Sequence, residues 1–311
     1  MSEDLIDVAQ PVLSIVTPSL NHGRFLRQTI ESVAAQTFRS IEHIVVDGGS
    51  SDGTVEILKE FPHVRWISER DEHVVEAYQK ALAMARGRYI IQCCVSDGFL
   101  DPNWFRKCIE VLEKDEEVSL VWGFGQAMSE EGELLNVSFQ DFFADPPPQK
   151  QDFLAFWLVG GFPLPEGNYC VRSEVIRAWF PDTRSSGWFR TCPHLGFMYR
   201  FVTEGYSPYF IPVVANFGRT HHDQRSQRLS AVEKPAEGAY RKAVKEYGKS
   251  ILSGRTTHRF RNGASQVIGQ MQPHELHSLR RSVWRHRLLR SRLVRVDPYT
   301  LALKLKERIF C

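Results

Sequence analysis

The sequence has little of what marks a secreted or a membrane-spanning protein. Its six cysteines form no CxxC pair and no regular spacing, which argues against a zinc site or a disulfide scaffold and favours free thiols in a reducing compartment. No run approaches the roughly 18 apolar residues that a membrane span needs. The first ten residues are acidic and lack the apolar core of a signal peptide. We therefore expect a cytoplasmic protein.

A strong net charge is also absent, because 39 Lys and Arg face 37 Asp and Glu over 311 residues. This balance gives no general reason to expect a nucleic-acid partner. The charge is uneven along the chain, since residues 280–311 carry ten basic residues and two acidic ones. Apolar residues make up 42% of the chain, which is enough to bury a large core. We expect a folded, mildly acidic body with a basic C-terminal end.

The first hundred residues alternate between strand and helix patterns. Short β-branched runs predict four strands, at residues 12–17, 41–46, 64–67 and 89–95. Apolar residues at helical spacing predict helices between them, and the third of these should run from Val74 to Arg86 with Gly87 as its C-cap. A further helix is expected over 102–112 and a strand over 118–122. Strand–helix alternation with short loops implies a parallel sheet covered by helices.

Polar side chains follow each of the four predicted strands. Ligands of open parallel sheets bind at the carboxyl ends of the strands. One acidic loop would be ordinary turn chemistry, because Asp and Gly are common in turns. Four clusters at one edge of one sheet favour a binding site instead. The clusters are Thr17–Ser19, Asp47–Asp52, Glu69–Asp71 and Asp97.

Three of these segments resemble a known family. They read Thr17-Pro-Ser-Leu-Asn21, Val45-Val-Asp-Gly-Gly-Ser-Ser-Asp-Gly-Thr54 and Ser68-Glu-Arg-Asp71. The chain resembles the family 2 glycosyltransferases of the GT-A fold over residues 11–105, and more loosely over 160–228. The resemblance implies an α/β fold with a Rossmann-like, mixed but mainly parallel sheet flanked by helices. We expect a GT-A domain over residues 1–230 and a basic helical extension over 231–311.

The resemblance also implies an activity. It predicts transfer of a sugar from a UDP-, GDP- or dTDP-sugar to a hydroxyl of a glycan or lipid-linked acceptor, with inversion, in bacterial surface polysaccharide or glycan synthesis. In the implied mechanism a base removes the acceptor proton. A divalent ion, Mn²⁺ or Mg²⁺, stabilises the charge on the departing diphosphate.

The residues expected to bind the donor follow from the same resemblance. Asp47 is expected to accept a hydrogen bond from the nucleotide base, and Asp71 to lie near the nucleotide. Arg219 lies in a segment that resembles the family's YRxH, where arginine approaches the diphosphate. The other expected donor-binding residues are Thr17, Pro18, Ser19, Asn21, Ser50, Asp52, Glu69 and Lys80.

The metal-binding motif and the catalytic base depart from the family pattern. Of the acidic residues in the family's metal-binding DxD motif, this sequence has only Asp97. Val95 and Gly98 stand at the other acidic positions. One carboxylate can still hold Mg²⁺ or Mn²⁺ when substrate phosphates and water complete the shell. His221 is the second expected metal ligand.

At the position of the general base the chain has no acid, and His194 stands in its place. Imidazole can act as a base near neutral pH. A packing histidine is the alternative, and Asp182 and Glu166 are other carboxylates that could face the acceptor.

Two other functions stay open. A sugar-1-phosphate nucleotidylyltransferase also handles nucleotide sugars, but it opens with a Gly-rich phosphate loop that this chain lacks after its first strand. A non-catalytic nucleotide-sugar binder or partner subunit would explain the missing acids. The basic, partly apolar tail is typical of helices that lie on anionic membranes. Peripheral contact with the inner face of the membrane, packing of the tail on the domain, and a homo-oligomer stay open as well.

Overall fold

Strands and helices alternate through the first part of the chain, as the sequence predicts. The computed structural model describes residues 10–138, 151–160, 168–224 and 230–293. The first elements are β1 (Leu13–Ser19), α1 (Gly23–Ala34), β2 (Ile41–Asp47), α2 (Thr54–Lys59), β3 (Val64–Ser68), α3 (Val74–Met84) and β4 (Tyr89–Gln92).

The second part of the chain adds longer strands and short helices. They are β5 (Gly98–Phe99), α4 (Trp104–Lys114), β6 (Val118–Met128), β7 (Leu134–Ser138), α5 (Gln151–Gly160), β8 (Tyr169–Arg172), α6 (Ser173–Trp179), α7 (Trp188–Thr191), α8 (Pro193–Thr203) and β9 (Ser207–Arg219). The last elements are α9 (Ser230–Leu252), β10 (Arg259–Arg261), β11 (Val267–Gln270) and α10 (Pro273–Leu293).

Strands β1 to β9 form one mixed sheet in the order β3-β2-β1-β4-β8-β6-β9-β5, with β7 paired to β6. Strands β3, β2, β1 and β4 are parallel to one another, and β6 and β9 are also parallel. β8 is antiparallel to both β4 and β6. The expected α/β architecture with a mixed sheet is therefore confirmed.

The sheet is covered on both faces, which explains the continuous apolar runs of its central strands. Every side chain of β1 is buried. Val16 packs in one core cluster with Tyr78 of α3. Its neighbour Ile15 packs in another with Cys108 of α4. Alternate side chains of a strand point to opposite faces, so two helix layers enclose the sheet.

Two expected boundaries are corrected. Helix α3 ends at Met84, and Ala85 adopts an extended conformation as its C-cap, so Gly87 does not cap the helix. A Cβ at Gly87 would lie 2.6 Å from the backbone nitrogen of Ser14, and the glycine is needed for this close approach. Strand β4 ends at Gln92 rather than Val95, which leaves Asp97 in a turn beyond the strand.

The described part of the C-terminal extension packs against the body. Helix α9 contacts α7 and α8, and α10 contacts α5. The indole of Trp157 donates a hydrogen bond to the Tyr240 hydroxyl at 2.9 Å. The hairpin of β10 and β11 lies between the two helices and was not predicted. Residues 294–311 lie outside the described residues, and none of the described helices could span a membrane.

Candidate functional site

The carboxyl ends of β1, β2 and β3 lie side by side. The register pairs Ser19 with Asp47, and Asp47 with Ser68. The Ser68 hydroxyl donates to Oδ2 of Asp47 at 2.6 Å. We call these three residues, together with Gly48 and Asp71, the carboxyl edge. The expected convergence of polar groups at this edge is therefore present in the fold.

Asp47 is fully buried at the centre of the carboxyl edge. Its Oδ2 also accepts hydrogen bonds from the backbone amides of Gly49 at 3.2 Å and Ser50 at 3.0 Å. The Ser50 hydroxyl donates a short hydrogen bond to Oδ1. This carboxylate therefore shapes the loop after β2, and its expected contact with the nucleotide base stays a prediction.

Asn21 joins the loop after β1 to the loop after β2. Its backbone amide donates to the Ser50 hydroxyl at 2.7 Å, and its side-chain oxygen accepts from the Ser51 amide at 2.9 Å. Asn21 has a φ of 54°, which asparagine tolerates better than most residues. The two loops are thus held as one unit.

Asp52 makes a second connection between these loops. Its Oδ2 accepts from the Gly23 amide at 2.9 Å, at the start of α1, and its Oδ1 accepts from the Thr54 hydroxyl at 2.6 Å, at the start of α2. Partial burial acts to raise the pKa of Asp52, but the hydrogen bonds from Thr54 and Gly23 outweigh this effect and lower it. Asp52 is placed to hold the site together.

Thr17 and Pro18 lie within β1 rather than in the loop. The Thr17 hydroxyl is buried and lies 3.0 Å from Nε2 of His43, and Pro18 pairs with Val46 of β2. Burial lowers the pKa of His43 to about 3, so this imidazole is neutral. Both residues shape the strand end, and a direct donor contact by either stays a prediction.

Buried polar atoms without a partner mark the carboxyl edge. Among the described residues, none hydrogen-bonds the Ser19 hydroxyl or Oδ2 of Asp71. The Asp71 side chain is only 8% exposed. A Cβ at Gly48 would lie 3.5 Å from Asp71 Oδ2, so the glycine leaves room beside it. Unsatisfied buried polar atoms are costly, and a bound ligand is a common way to satisfy them.

Lys80 holds the other oxygen of Asp71. Its ammonium lies 2.5 Å from Oδ1 of Asp71 and 2.8 Å from the exposed carboxylate of Glu69. These hydrogen bonds raise the pKa of Lys80. Burial raises the pKa of Asp71, and Lys80 opposes that effect only in part. Glu69 and Lys80 therefore fix the orientation of Asp71.

Asp97 lies in a tight turn after β4. Ser96 has a φ of 94°, which is uncommon for a residue other than glycine and often accompanies a functional site. The Thr29 hydroxyl donates to the Asp97 carbonyl at 2.7 Å, and Oδ1 of Asp97 accepts from the Arg219 amide at 3.0 Å. A Cβ at Gly98 would lie 2.6 Å from the Phe217 ring, so an acid does not fit there without movement.

The Arg219 side chain is buried and held by protein oxygens. Its Nη1 donates to the carbonyls of Ser129 and Glu130, both at 2.9 Å, and its Nη2 donates to the side chain of Gln28. The guanidinium also lies 4.8 Å from the centre of the Phe25 ring. These contacts join the Asp97 turn to the β6–β7 hairpin and to α1. The expected contact with a diphosphate stays a prediction.

His221 is nearly buried beside the Asp97 turn. Its ring lies 5.0 Å from that of His22 and 4.8 Å from that of Phe25, and no described residue hydrogen-bonds its Nδ1. Burial lowers its pKa, and His22 adds to this effect. A neutral imidazole with an unpaired nitrogen is the form that binds metal ions.

Asp97 and His221 remain the expected ligands of a metal that would be shared with a substrate. The described residues contain no group of three or more His, Cys, Asp or Glu side chains that could hold an ion alone. Mg²⁺ and Mn²⁺ accept one or two protein ligands when phosphate oxygens and water supply the rest. The orphaned Nδ1 of His221 is the observation that favours a ligand here.

Sequence reasoning missed the ion-pair network that covers this turn. Arg24 pairs with Glu130 at 2.6 Å and with Asp223 at 3.3 Å, and Glu130 also lies 3.0 Å from the ring of His222. The hydrogen bond from His222, with help from Arg24, lowers the pKa of Glu130. These residues come from three distant segments without a shared motif, so no pattern in the sequence marks them.

The candidate base His194 lies in the first turn of α8 and is 9% exposed. The rings of Tyr78 and Phe180 meet its ring edge-on, at 5.2 Å and 5.7 Å. This is the environment that the packing alternative predicts, so a base role stays a prediction. Asp182 is bound by Arg184 at 2.7 Å, which lowers its pKa. Glu166 lies outside the described residues.

A cleft that the sequence did not reveal lies between α3 and α7. It has a volume of about 430 Å³ and is lined by Glu72, His73, Val75, Glu76, Thr183 and Arg190. Glu76 lies 3.8 Å from Lys80, which in turn binds Asp71. Lys80 therefore links the cleft to the carboxyl edge through its ion pairs with Glu76 and Asp71.

Sequence comparison relates the chain to glycosyltransferases. A family model described as glycosyl transferase family 2 matches residues 14–160. A glycosyltransferase of Mycobacterium tuberculosis is 32% identical over 180 residues, which cover 54% of this chain and 69% of that protein. Chondroitin synthase of Escherichia coli is 32% identical over 130 residues, which cover 40% of this chain. The chain spans only 19% of that synthase.

Structural comparison supports the same fold. Staphylococcus aureus TarS, solved in complex with UDP, superposes with a TM-score of 0.51 at 15% identity, over 78% of this chain and 72% of the TarS chain. A mannosyltransferase of Pyrobaculum calidifontis, solved with GDP-Man and Mn²⁺, gives a TM-score of 0.52 at 13% identity, over 79% and 75% of the two chains. At these identities the likeness concerns the fold alone.

Proposed function

The chain belongs to glycosyl transferase family 2, and on that premise we propose that it transfers a sugar from a nucleotide-sugar donor to a hydroxyl of a glycan or lipid-linked acceptor, with inversion. The observation that carries the proposal is the carboxyl edge, where Ser19 and Asp71 bury polar atoms that no described residue satisfies. Binding of UDP by TarS and of GDP-Man by the mannosyltransferase supports a nucleotide there.

In this proposal the carboxyl edge binds the nucleotide. Oδ2 of Asp71 accepts a hydrogen bond from an N–H or O–H of the nucleoside, and Lys80 keeps the carboxylate ionised and oriented. The Ser19 hydroxyl donates or accepts beside it. Asp47, Asn21 and Asp52 keep the surrounding loops in place, so that the site exists before the donor arrives.

We assign the diphosphate end of the donor to the Asp97 turn. Asp97 and His221 would hold a divalent ion, Mn²⁺ or Mg²⁺, which when bound supplies positive charge for the departing diphosphate. The Arg219 amide holds Oδ1 of Asp97 at 3.0 Å and thereby orients the carboxylate. Electrostatic stabilisation of this kind works best when the charged groups are fixed in advance.

We propose His194 as the general base. It lies at the start of α8, directly after the short helix that lines the cleft. Asp182, the described carboxylate alternative, is occupied by Arg184. His194→Ala should lower turnover while nucleotide affinity is unchanged, because a base acts only in the transition state. A fully active variant contradicts the assignment.

We also propose action at the inner face of the membrane in the synthesis of a surface polysaccharide or glycan. Leu279 and Val283 face the body of the protein, whereas Trp284 is 65% exposed and Arg281 and Arg287 are exposed beside it. Exposed tryptophan between arginines suits an anionic lipid surface. Full-length protein should float with anionic liposomes at low salt, and Trp284→Ser with Arg281→Ser should float less. Equal flotation contradicts this part of the proposal.

Release of the nucleoside diphosphate tests the activity. We expect the full-length protein to release it from one of the UDP-, GDP- or dTDP-sugars, and to do so faster with Mn²⁺. Binding of a nucleotide without release from any donor favours the non-catalytic alternative. Formation of nucleotide sugar from a sugar 1-phosphate and a nucleoside triphosphate would identify a nucleotidylyltransferase instead.

A further inference from the structure

The cleft between α3 and α7 has two walls of opposite charge that do not meet. Glu76 lines it from the first turn of α3 and Glu72 from the residues just before that helix, whereas Arg190 lines it from α7. The backbone amide of Glu72 donates to Glu76 at 3.0 Å, which fixes the acidic wall. Among the residues that the structure describes, Arg190 has no ion-pair or hydrogen-bond partner for its guanidinium.

The residues next to Arg190 are held in place by packing contacts. Its neighbour Trp188 packs 5.6 Å from the rings of both Tyr199 and Tyr240, and its neighbour Phe189 lies 4.8 Å from the guanidinium of Arg200. The preceding segment is fastened to α3, because Gln79 donates to the carbonyl of Pro181 at 2.9 Å. The backbone that carries Arg190 is therefore held in place opposite α3.

The two walls of the cleft favour different chemical groups on one ligand. Carboxylates accept hydrogen bonds from hydroxyls, and guanidinium binds carboxylate or phosphate oxygens in pairs. A neutral sugar satisfies the acidic wall and leaves Arg190 unpaired. A compact anion without hydroxyls satisfies Arg190 and is repelled by the glutamates. A sugar that carries one anionic group satisfies both walls.

From this complementarity we propose that the cleft binds an acidic sugar unit of the acceptor, and that Arg190 selects its anionic group. The inference rests on the proposed glycosyl transfer, since it assigns the substrate class of the acceptor side. The cleft is within the size range of small-molecule sites and borders Lys80, next to the carboxyl edge. The anionic group is a uronate carboxylate or a phosphate ester.

Titration with three simple glycosides tests the inference. The full-length protein is titrated by ligand-observed NMR with methyl β-D-glucuronide, methyl β-D-glucoside 6-phosphate and methyl β-D-glucoside. We expect at least one anionic glycoside to bind about tenfold more tightly than the neutral one, because a charge-assisted bidentate contact is added. Tighter binding of the glucuronide would identify a carboxylate as the anionic group that the cleft binds. Tighter binding of the glucoside 6-phosphate would identify a phosphate.

Arg190→Gln should remove this preference and leave the affinity for the neutral glycoside unchanged. Arg184→Gln is the matched control, because Arg184 lies in the same segment, is 90% exposed and pairs with Asp182 instead of lining the cleft. Equal affinity for all three glycosides, or a preference that survives Arg190→Gln, overturns the inference.

Calorimetry with UDP, GDP and dTDP on the same samples separates this inference from the proposed function. Nucleotide binding without a preference for anionic glycosides contradicts the inference alone. The preference without nucleotide binding contradicts the proposed donor site and leaves the acidic-sugar site standing.

Discussion

The amino and carboxyl ends of strands β1 to β3 hold buried polar groups that differ in how well their hydrogen bonds are satisfied. At the amino end, Glu42 accepts hydrogen bonds from the Ser14 hydroxyl at 2.7 Å, from the Arg86 amide at 2.6 Å and from the Arg65 side chain. At the carboxyl end, Ser19 and Asp71 keep polar atoms that no described residue satisfies. Satisfied buried groups stabilise the fold, whereas the unsatisfied ones at the carboxyl edge are available for a ligand.

This difference predicts different effects for mutations at the two ends. Changes at the amino end of β2 should lower stability and leave ligand binding unaffected. Changes near the carboxyl edge should lower binding or turnover and leave stability unaffected.

The largest effect is expected at the Asp97 turn. Asp97→Asn keeps the shape of the side chain and removes the charge, so turnover should fall at least ~100-fold, or about 2.7 kcal/mol in barrier height. The thermal unfolding temperature should change little. Asp101→Asn is the control, because the Asp101 carboxylate forms an ion pair with Lys107 at 2.6 Å and is not an expected metal ligand. Wild-type turnover of the Asp97 variant would contradict the metal assignment.

The next effect concerns stability. Glu42→Gln should lower the free energy of unfolding by about 2 kcal/mol, because Arg65, Arg86 and Ser14 lose a buried charged acceptor. Arg65 and Arg86 are partly exposed, which keeps the loss below that of a fully buried pair. Urea denaturation measures the change, with the exposed Glu56→Gln as control. A loss of nucleotide affinity in the folded Glu42 variant would contradict the expectation that Glu42 contributes to stability alone.

A smaller effect is expected for Asp71→Asn. The variant should bind nucleotide about tenfold more weakly, close to 1.4 kcal/mol, because the amide is a weaker acceptor than the carboxylate. Because folding raises the pKa of Asp71, its ionised form opposes folding once the pH exceeds the ordinary value. The variant should therefore be at least as stable as the wild type. Calorimetry and urea denaturation together check both expectations, and unchanged affinity would contradict them.

The smallest effect is the pH dependence of stability. Burial acts to raise the pKa of Glu42, but hydrogen bonds from Ser14, Arg86 and Arg65 outweigh it and lower the pKa. The stabilisation is present above the unfolded-state pKa and is lost as the pH falls through the folded-state pKa. Between about pH 6 and pH 3, the wild type should lose more unfolding free energy than Glu42→Gln. Parallel losses would show that Glu42 contributes no pH-dependent stability.

Local patterns predicted much of the fold and part of the site. The four parallel strands and the polar groups after them follow from apolar periodicity and turn chemistry, so the convergence of Ser19, Asp47 and Ser68 was foreseeable. The cysteine spacing also predicted no disulfide scaffold, and the five described cysteines form no disulfide with one another.

The remaining features depend on contacts between distant segments. Arg219 bonds with Gln28, Ser129 and Glu130, which no local pattern reveals. The aromatic surroundings of His194 arise only when α8 packs on α3. The cleft with Arg190 likewise requires residues 72–76 and 183–190 to meet in the folded chain.

A crystal structure with UDP, GDP or dTDP bound would show whether the carboxyl edge is the donor site. We expect the nucleoside of the bound nucleotide to lie on the carboxyl edge, with Oδ2 of Asp71 and the Ser19 hydroxyl within hydrogen-bonding distance. We expect the phosphates to point toward Asp97 and His221. A nucleotide that binds elsewhere and leaves these atoms without a partner would disprove the proposed donor site.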